Sequence, residues 1–135
     1  MGTPLSNPLN LAVIGAGAWG TALAIHLSRA GHKVNLWTHS EQQACLMQAE
    51  KVNAKYLPNA VFPVGLTVLN DLKTTLEAVE GILVVVPSHV FRQTLEQIAR
   101  LIPGNKKLHF AWATKGFESD TDLMLHQVVQ QVLGA

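Results

Sequence analysis

A chain of 135 residues, 48% hydrophobic and 14% charged, is sized for one domain and carries enough apolar material for a real core. That charge content is too low for a disordered tail, and a net charge of +1 gives no broad electrostatic case for nucleic acid or a membrane surface. The single cysteine, Cys45, excludes a disulfide framework and fits a reducing cytoplasm. No apolar run is long enough to span a bilayer, and no basic-then-apolar leader opens the chain.

Residues 1–8 read as a flexible lead, with Pro4 and Pro8 keeping it out of a helix. Met1-Gly2-Thr3-Pro4-Leu5-Ser6 satisfies the myristoylation pattern, but a match at two fixed positions often arises by accident. Residues 9–135 read as one domain in which short apolar runs alternate with helical stretches. A buried strand is expected over 9–14, then a helix over 19–30 stopped by Gly31, then a strand over 34–37. Ser40 is placed to cap a helix running to about 51, with Gln43 three residues later completing a capping box. Residues 53–63 hold two prolines and two aromatics and read as irregular. A short strand follows over 66–69, and Asp71 can cap a helix reaching about 79.

Residues 82–86 are five aliphatics, four of them β-branched, which suits a central parallel strand covered on both faces. Pro87 ends it, and Ser88 is placed to cap a helix to about 102. A fifth strand over 108–113 and a last helix over 120–133 complete the chain. Cys45, in mid-helix, and Trp112, inside the fifth strand, read as packing residues. Strand followed by helix five times predicts one parallel sheet, with right-handed crossovers placing helices on both faces.

The first strand-to-helix turn reads Gly15-Ala16-Gly17-Ala18-Trp19-Gly20. G-x-G-x-x-G alone is weak evidence, but between a strand and a helix it becomes specific for a Rossmann-type, doubly wound dinucleotide fold. Gly15 lets the chain turn sharply, Gly17 lets a pyrophosphate approach the backbone, and Gly20 lets helix and strand pack closely. The first-turn N–H groups of the helix then face the paired phosphates, and the helix dipole favours their charge. A nucleoside triphosphate loop is disfavoured because no Gly-Lys-Ser/Thr follows.

The second strand ends Leu36-Trp37-Thr38-His39-Ser40, without the carboxylate that would hold a ribose 2′-hydroxyl. Glu41 follows, but in the first helical turn and pointing away. His39 and Ser40 can donate to a 2′-phosphate, so NADP or dual use is favoured over NAD alone. Ligands in such sheets lie beyond the carboxyl ends of the strands. There Pro87 shapes a wall for a nicotinamide. His89 reads as structural, because the dipole in a first helical turn disfavours a protonated ring. Lys115, directly after the fifth strand and before Gly116, is a candidate to bind a phosphate or carboxylate or to polarise a carbonyl. His26, His32, His109 and His126 show no ligand spacing, so no metal site is expected.

These residues together resemble bacterial-type NAD(P)-dependent glycerol-3-phosphate dehydrogenase, over essentially the whole of 9–135. The resemblance is carried by Val-Ile-Gly-Ala-Gly-Ala-Trp-Gly-Thr-Ala-Leu-Ala at 13–24 and by Asn53 with Tyr56-Leu57-Pro58. It is carried most specifically by Ile-Leu-Val-Val-Val-Pro-Ser-His-Val-Phe at 82–91 and Ala-Thr-Lys-Gly at 113–116. It implies reversible reduction of dihydroxyacetone phosphate to sn-glycerol 3-phosphate, for phospholipid synthesis in the cytoplasm. It further implies cofactor contacts at Ala18, Trp19 and His39, and a lysine, Lys115, touching both cofactor and substrate.

The family continues into a helical second domain that supplies the acid–base lysine, so no catalytic residue is assigned within 1–135. The expectation is a chain that binds cofactor with negligible turnover and self-associates through its uncovered interdomain face. Two rivals remain: the cofactor domain of a related 3-hydroxyacyl-CoA or ketopantoate-type dehydrogenase, and a free-standing redox-sensing NAD(P)-binding module.

Overall fold

The computed structural model describes residues 8–103, 107–113 and 124–133. Strand β1 (Asn10–Ile14) leads into helix α1 (Ala18–Arg29), strand β2 (Lys33–Trp37) and helix α2 (Glu41–Glu50). Two short strands follow, β3 (Val52–Asn53) and β4 (Leu57–Val61), then β5 (Leu66–Leu69) and helix α3 (Leu72–Leu76). Strand β6 (Gly81–Val84), helix α4 (Ser88–Leu101), strand β7 (His109–Trp112) and helix α5 (Leu125–Leu133) complete the described chain. The lead at 1–7, the start of the last predicted helix at 120–123, and Lys115 lie outside the described residues.

Five strands form one parallel sheet in the order β5-β2-β1-β6-β7 among the described residues. From β1 the chain first builds outward through β2 and β5, then returns to add β6 and β7 on the other side. The order therefore reverses between β1 and β6, and the helices after those two strands diverge to open a crevice there. Alternation along the strands feeds two cores. Ala12, Ile14, Ile82 and Val84 face Phe91, Leu95, Ile98 and Val128 from α4 and α5. Val13, Val34 and Leu36 face Ala24 and Ile25 from α1 and Ala44 and Met47 from α2. This is the doubly wound arrangement expected from the strand–helix alternation.

The local signals explain most element ends. Gly31 stops α1 with a φ of 110°, where a glycine carries no Cβ penalty. Asp71 caps α3, accepting from the Thr74 backbone N–H and hydroxyl, and these hydrogen bonds hold its carboxyl below the usual range. Ser40 caps α2 by accepting from the Gln43 N–H at 3.1 Å. The capping box is only half made, because the Gln43 side chain reaches Thr38 and Ala16 instead.

Five expectations need correction. Residues 53–63 are not irregular: β3 and β4 pair antiparallel with a register shift between Val52 and Asn53, which hides the alternation a hairpin normally shows. Helix α3 ends at Leu76, not near 79, because the backbone is already extended at Glu77, and Ala78 then turns into the left-handed region with a φ of 59°. Pro87, not Ser88, is the N-cap of α4, with no side-chain cap bond, and Ser88 opens the helix. Cys45 is exposed rather than packed. The run 82–86 pairs only as far as Val84, and its Leu83 face opens onto a shallow apolar groove of about 280 Å³ shared with Ala111. Trp112 is half-buried, its ring 6.3 Å from Phe91 and 6.1 Å from Phe110.

Ala78 is exposed and left-handed, so its Cβ brings strain without packing. Ala78→Gly is expected to stabilise the fold by about 0.5 kcal/mol, the relief of strain outweighing the added freedom of the unfolded chain. Urea unfolding checks this, and a variant less stable than the parent contradicts it.

Candidate functional site

The glycine turn is built by close backbone packing. Gly15 has a φ of 123°, and a Cβ there would lie 2.3 Å from the Val85 carbonyl oxygen. Its N–H donates to the Trp37 carbonyl at 3.0 Å, while the Val85 N–H donates to the Ile14 carbonyl at 2.8 Å. A Cβ on Gly20 would lie 2.0 Å from the Gly15 carbonyl oxygen. Gly15 and Gly20 therefore let β1, α1 and the end of β6 close on one another.

Gly17 differs. Its φ is −76°, which any residue adopts, and a Cβ there would meet nothing within 4 Å. It is the N-cap of α1, and that helix starts without a side-chain cap and without an acidic residue in its first turn. Open space beside Gly17 thus meets backbone donors and the positive end of a helix dipole. That combination fits a phosphate-bearing ligand approaching the backbone.

A cleft of about 970 Å³ extends from this turn along the carboxyl edge of the sheet. Its size matches that of small-molecule and cofactor sites. One end is bounded by Trp37, Thr38 and His39 after β2, the other by Val86, Pro87 and Ser88 after β6. The flank of α4 adds His89, Gln93 and Gln97, at helical i, i+4 spacing. No Asp or Glu is among the described residues lining it, so no carboxylate repels an anionic ligand.

Gly15, Gly17, Ala18, Trp19, Gly20, His39 and Pro87 all border this one cleft. Trp19 is 59% exposed beside it. Lys115 lies outside the described residues. His89 lies in the first turn of α4, as expected, and is exposed at the border of the cleft. The Ser40 hydroxyl is engaged in capping α2 and Ser40 does not border the cleft, which leaves His39 as the side chain open to a ligand at that end.

Sequence reasoning missed Gln43, Tyr56, Gln93 and Gln97 as cleft residues, and missed Asn53 behind the turn. The polar stripe at 89, 93 and 97 was a usable signal. Among the described residues no group of three or more His, Cys, Asp or Glu is placed to hold a metal ion, and no helix is long and apolar enough to cross a membrane.

Known proteins share this arrangement. Residues 10–135 match the family described as NAD-dependent glycerol-3-phosphate dehydrogenase N-terminus. The glycerol-3-phosphate dehydrogenase (NAD(P)+) of Hydrogenovibrio crunogenus is 51% identical over 133 residues, covering 98% of this chain and 39% of that protein. The enzyme of the same name from Klebsiella pneumoniae is 48% identical over 130 residues, covering 95% of this chain and 38% of its own length. The crystal structure of glycerol-3-phosphate dehydrogenase from Coxiella burnetii superposes with a TM-score of 0.88 at 44% identity, over 95% of this chain and 38% of that one. The chain thus spans about two fifths of the length of these relatives. It belongs to the NAD-dependent glycerol-3-phosphate dehydrogenase N-terminus family.

Proposed function

We propose that the chain is the cofactor-binding part of an sn-glycerol-3-phosphate dehydrogenase, taking NAD or NADP in the cleft at the β1–β6 reversal. The observation that carries this reading is the open space at Gly17 beside a helix N-terminus with no side-chain cap. In this reading the backbone N–H groups of Ala18 and Trp19 receive the pyrophosphate. His39 would hold the adenosine ribose, and Pro87 would form a wall for the nicotinamide. A nicotinamide held there would supply hydride chemistry for reduction of the dihydroxyacetone phosphate carbonyl. Lys115 is assigned, from the resemblance, to contact both cofactor and substrate, its ammonium suited to hold a phosphate or polarise the carbonyl oxygen.

The absence of a carboxylate lining the cleft at the end of β2 favours NADP or dual use, with His39 the side chain open to a 2′-phosphate. Carbonyl reduction also requires a positioned proton donor. We place that group in the portion of the longer relatives that this chain does not span. An exposed Cys45 thiol fits a cytoplasmic setting.

Two glycines separate fold from binding. Gly17→Ala is expected to keep its thermal midpoint within about 2 °C of the parent and to lose affinity for NADPH by roughly tenfold or more. Gly20→Ala is expected to destabilise the fold by about 1–3 kcal/mol, because the Cβ meets backbone. Calorimetry with NADPH beside thermal melts checks both, and a stable Gly17→Ala binding as tightly as the parent overturns the cleft assignment.

His39→Asp is expected to weaken NADPH by roughly tenfold through like-charge repulsion while leaving NADH affinity intact. Equal losses for both cofactors contradict the placement of His39. Purified chain 1–135 is expected to bind NADPH without measurable oxidation of it by dihydroxyacetone phosphate, and steady turnover contradicts the assignment of the proton donor elsewhere.

A further inference from the structure

Asn53 is 1% exposed and sits behind the glycine turn. Its side-chain amide donates to the Ala16 carbonyl at 2.9 Å and to the Thr21 hydroxyl at 2.8 Å. Its oxygen accepts from the Tyr56 N–H at 3.3 Å. Two acceptors on one side and a donor on the other fix which way the amide points. Gln43 Nε2 donates to the same Ala16 carbonyl at 3.2 Å, and its oxygen accepts from the Thr38 hydroxyl at 2.6 Å. Two side chains from α2 and the β3–β4 hairpin, both outside the β1–α1–β2 unit, thus converge on one backbone oxygen of the turn.

That convergence has a directional consequence. The described chain contains no cis peptide bond, so the Ala16 carbonyl and the Gly17 N–H point in opposite directions. Holding the carbonyl toward Asn53 and Gln43 holds the Gly17 N–H away from them. The second arm of Asn53, on Thr21, ties the same point to the first turns of α1. This peptide turns about ψ of Ala16 and φ of Gly17, and Gly17, which packs against nothing in the chain, is free to rotate. External hydrogen bonds therefore set a backbone that its own sequence leaves loose.

We propose that Asn53 and Gln43 are positioning residues of the phosphate cradle, holding the Ala16 carbonyl so that the turn is already shaped when the dinucleotide's pyrophosphate arrives. This rests on the reading of the cleft as a dinucleotide site. The pair lowers the ordering cost of binding, because the amides need no rearrangement. Asn53 acts through Ala16 and Thr21 and does not border the cleft, whereas Gln43 does.

The test uses the full chain with Asn53→Ser and Gln43→Met, each measured against NADH and against adenosine, which has no phosphate. Loss of a hydrogen bond that shapes the cradle is expected to raise the Kd for NADH about tenfold, while the Kd for adenosine stays within about twofold. The Gly17 amide nitrogen resonance of the free protein is expected to move in both variants, because the preceding carbonyl has lost a partner. If Asn53→Ser does not fold, Gln43→Met decides alone. Unchanged NADH affinity in a folded variant, or equal losses for NADH and adenosine, overturns the proposal. A parent chain that binds no NADH overturns the dinucleotide reading itself, and the proposal with it.

Discussion

The cleft depends on a close approach of three backbone segments. Residues 15, 20 and 85 pack so tightly that a methyl group at either glycine would overlap a carbonyl oxygen. This contact fixes where α1 begins relative to β1 and β6, and so fixes where the helix's free N–H groups lie. A helix displaced by a side-chain radius would present its dipole elsewhere along the sheet edge. Gly17 stands apart, since it packs against nothing in the chain. Packing is the reason for glycine at 15 and 20, whereas no packing within the chain requires one at 17.

Around that turn, topology distributes chemistry along one edge. The strand order reverses between β1 and β6, so the helices that follow them leave on opposite faces and open the crevice. The β2 end contributes His39 and buried Thr38, and the β6 end contributes Val86 and Pro87. No carboxylate of the described residues faces this space. The resulting field suits an anion at the turn and an uncharged ring toward Pro87. The hairpin β3–β4, which adds nothing to the main sheet, earns its place by carrying Asn53 to the back of the turn.

The fold was largely legible because its signals are local and physical. Apolar runs bounded by Gly31, Ser40, Asp71 and Pro87 marked the ends of elements, and the glycine turn located the edge along which the cleft runs. The rest was hidden for identifiable reasons. Helix α3 gives way to an extended Glu77 and a left-handed Ala78, and neither residue announces a stop as a glycine would. The hairpin pairs with a shifted register and contains Pro58, so no period of two is visible. Gln43 fits a capping box by spacing, but in three dimensions its amide has a better partner in Ala16. Asn53 is 37 residues from Ala16 in sequence, and no local pattern reveals a contact at that distance.

The central claim is that the turn at 15–20 is a finished phosphate cradle in the free chain. A crystal structure of chain 1–135 grown with NADH tests it most directly. The account predicts the pyrophosphate seated against the N–H groups of Ala18 and Trp19, with the backbone of 15–20 superposing on the free form and Gly17 in contact with a phosphate oxygen. A dinucleotide bound elsewhere, or a turn that refolds to receive it, would contradict the claim.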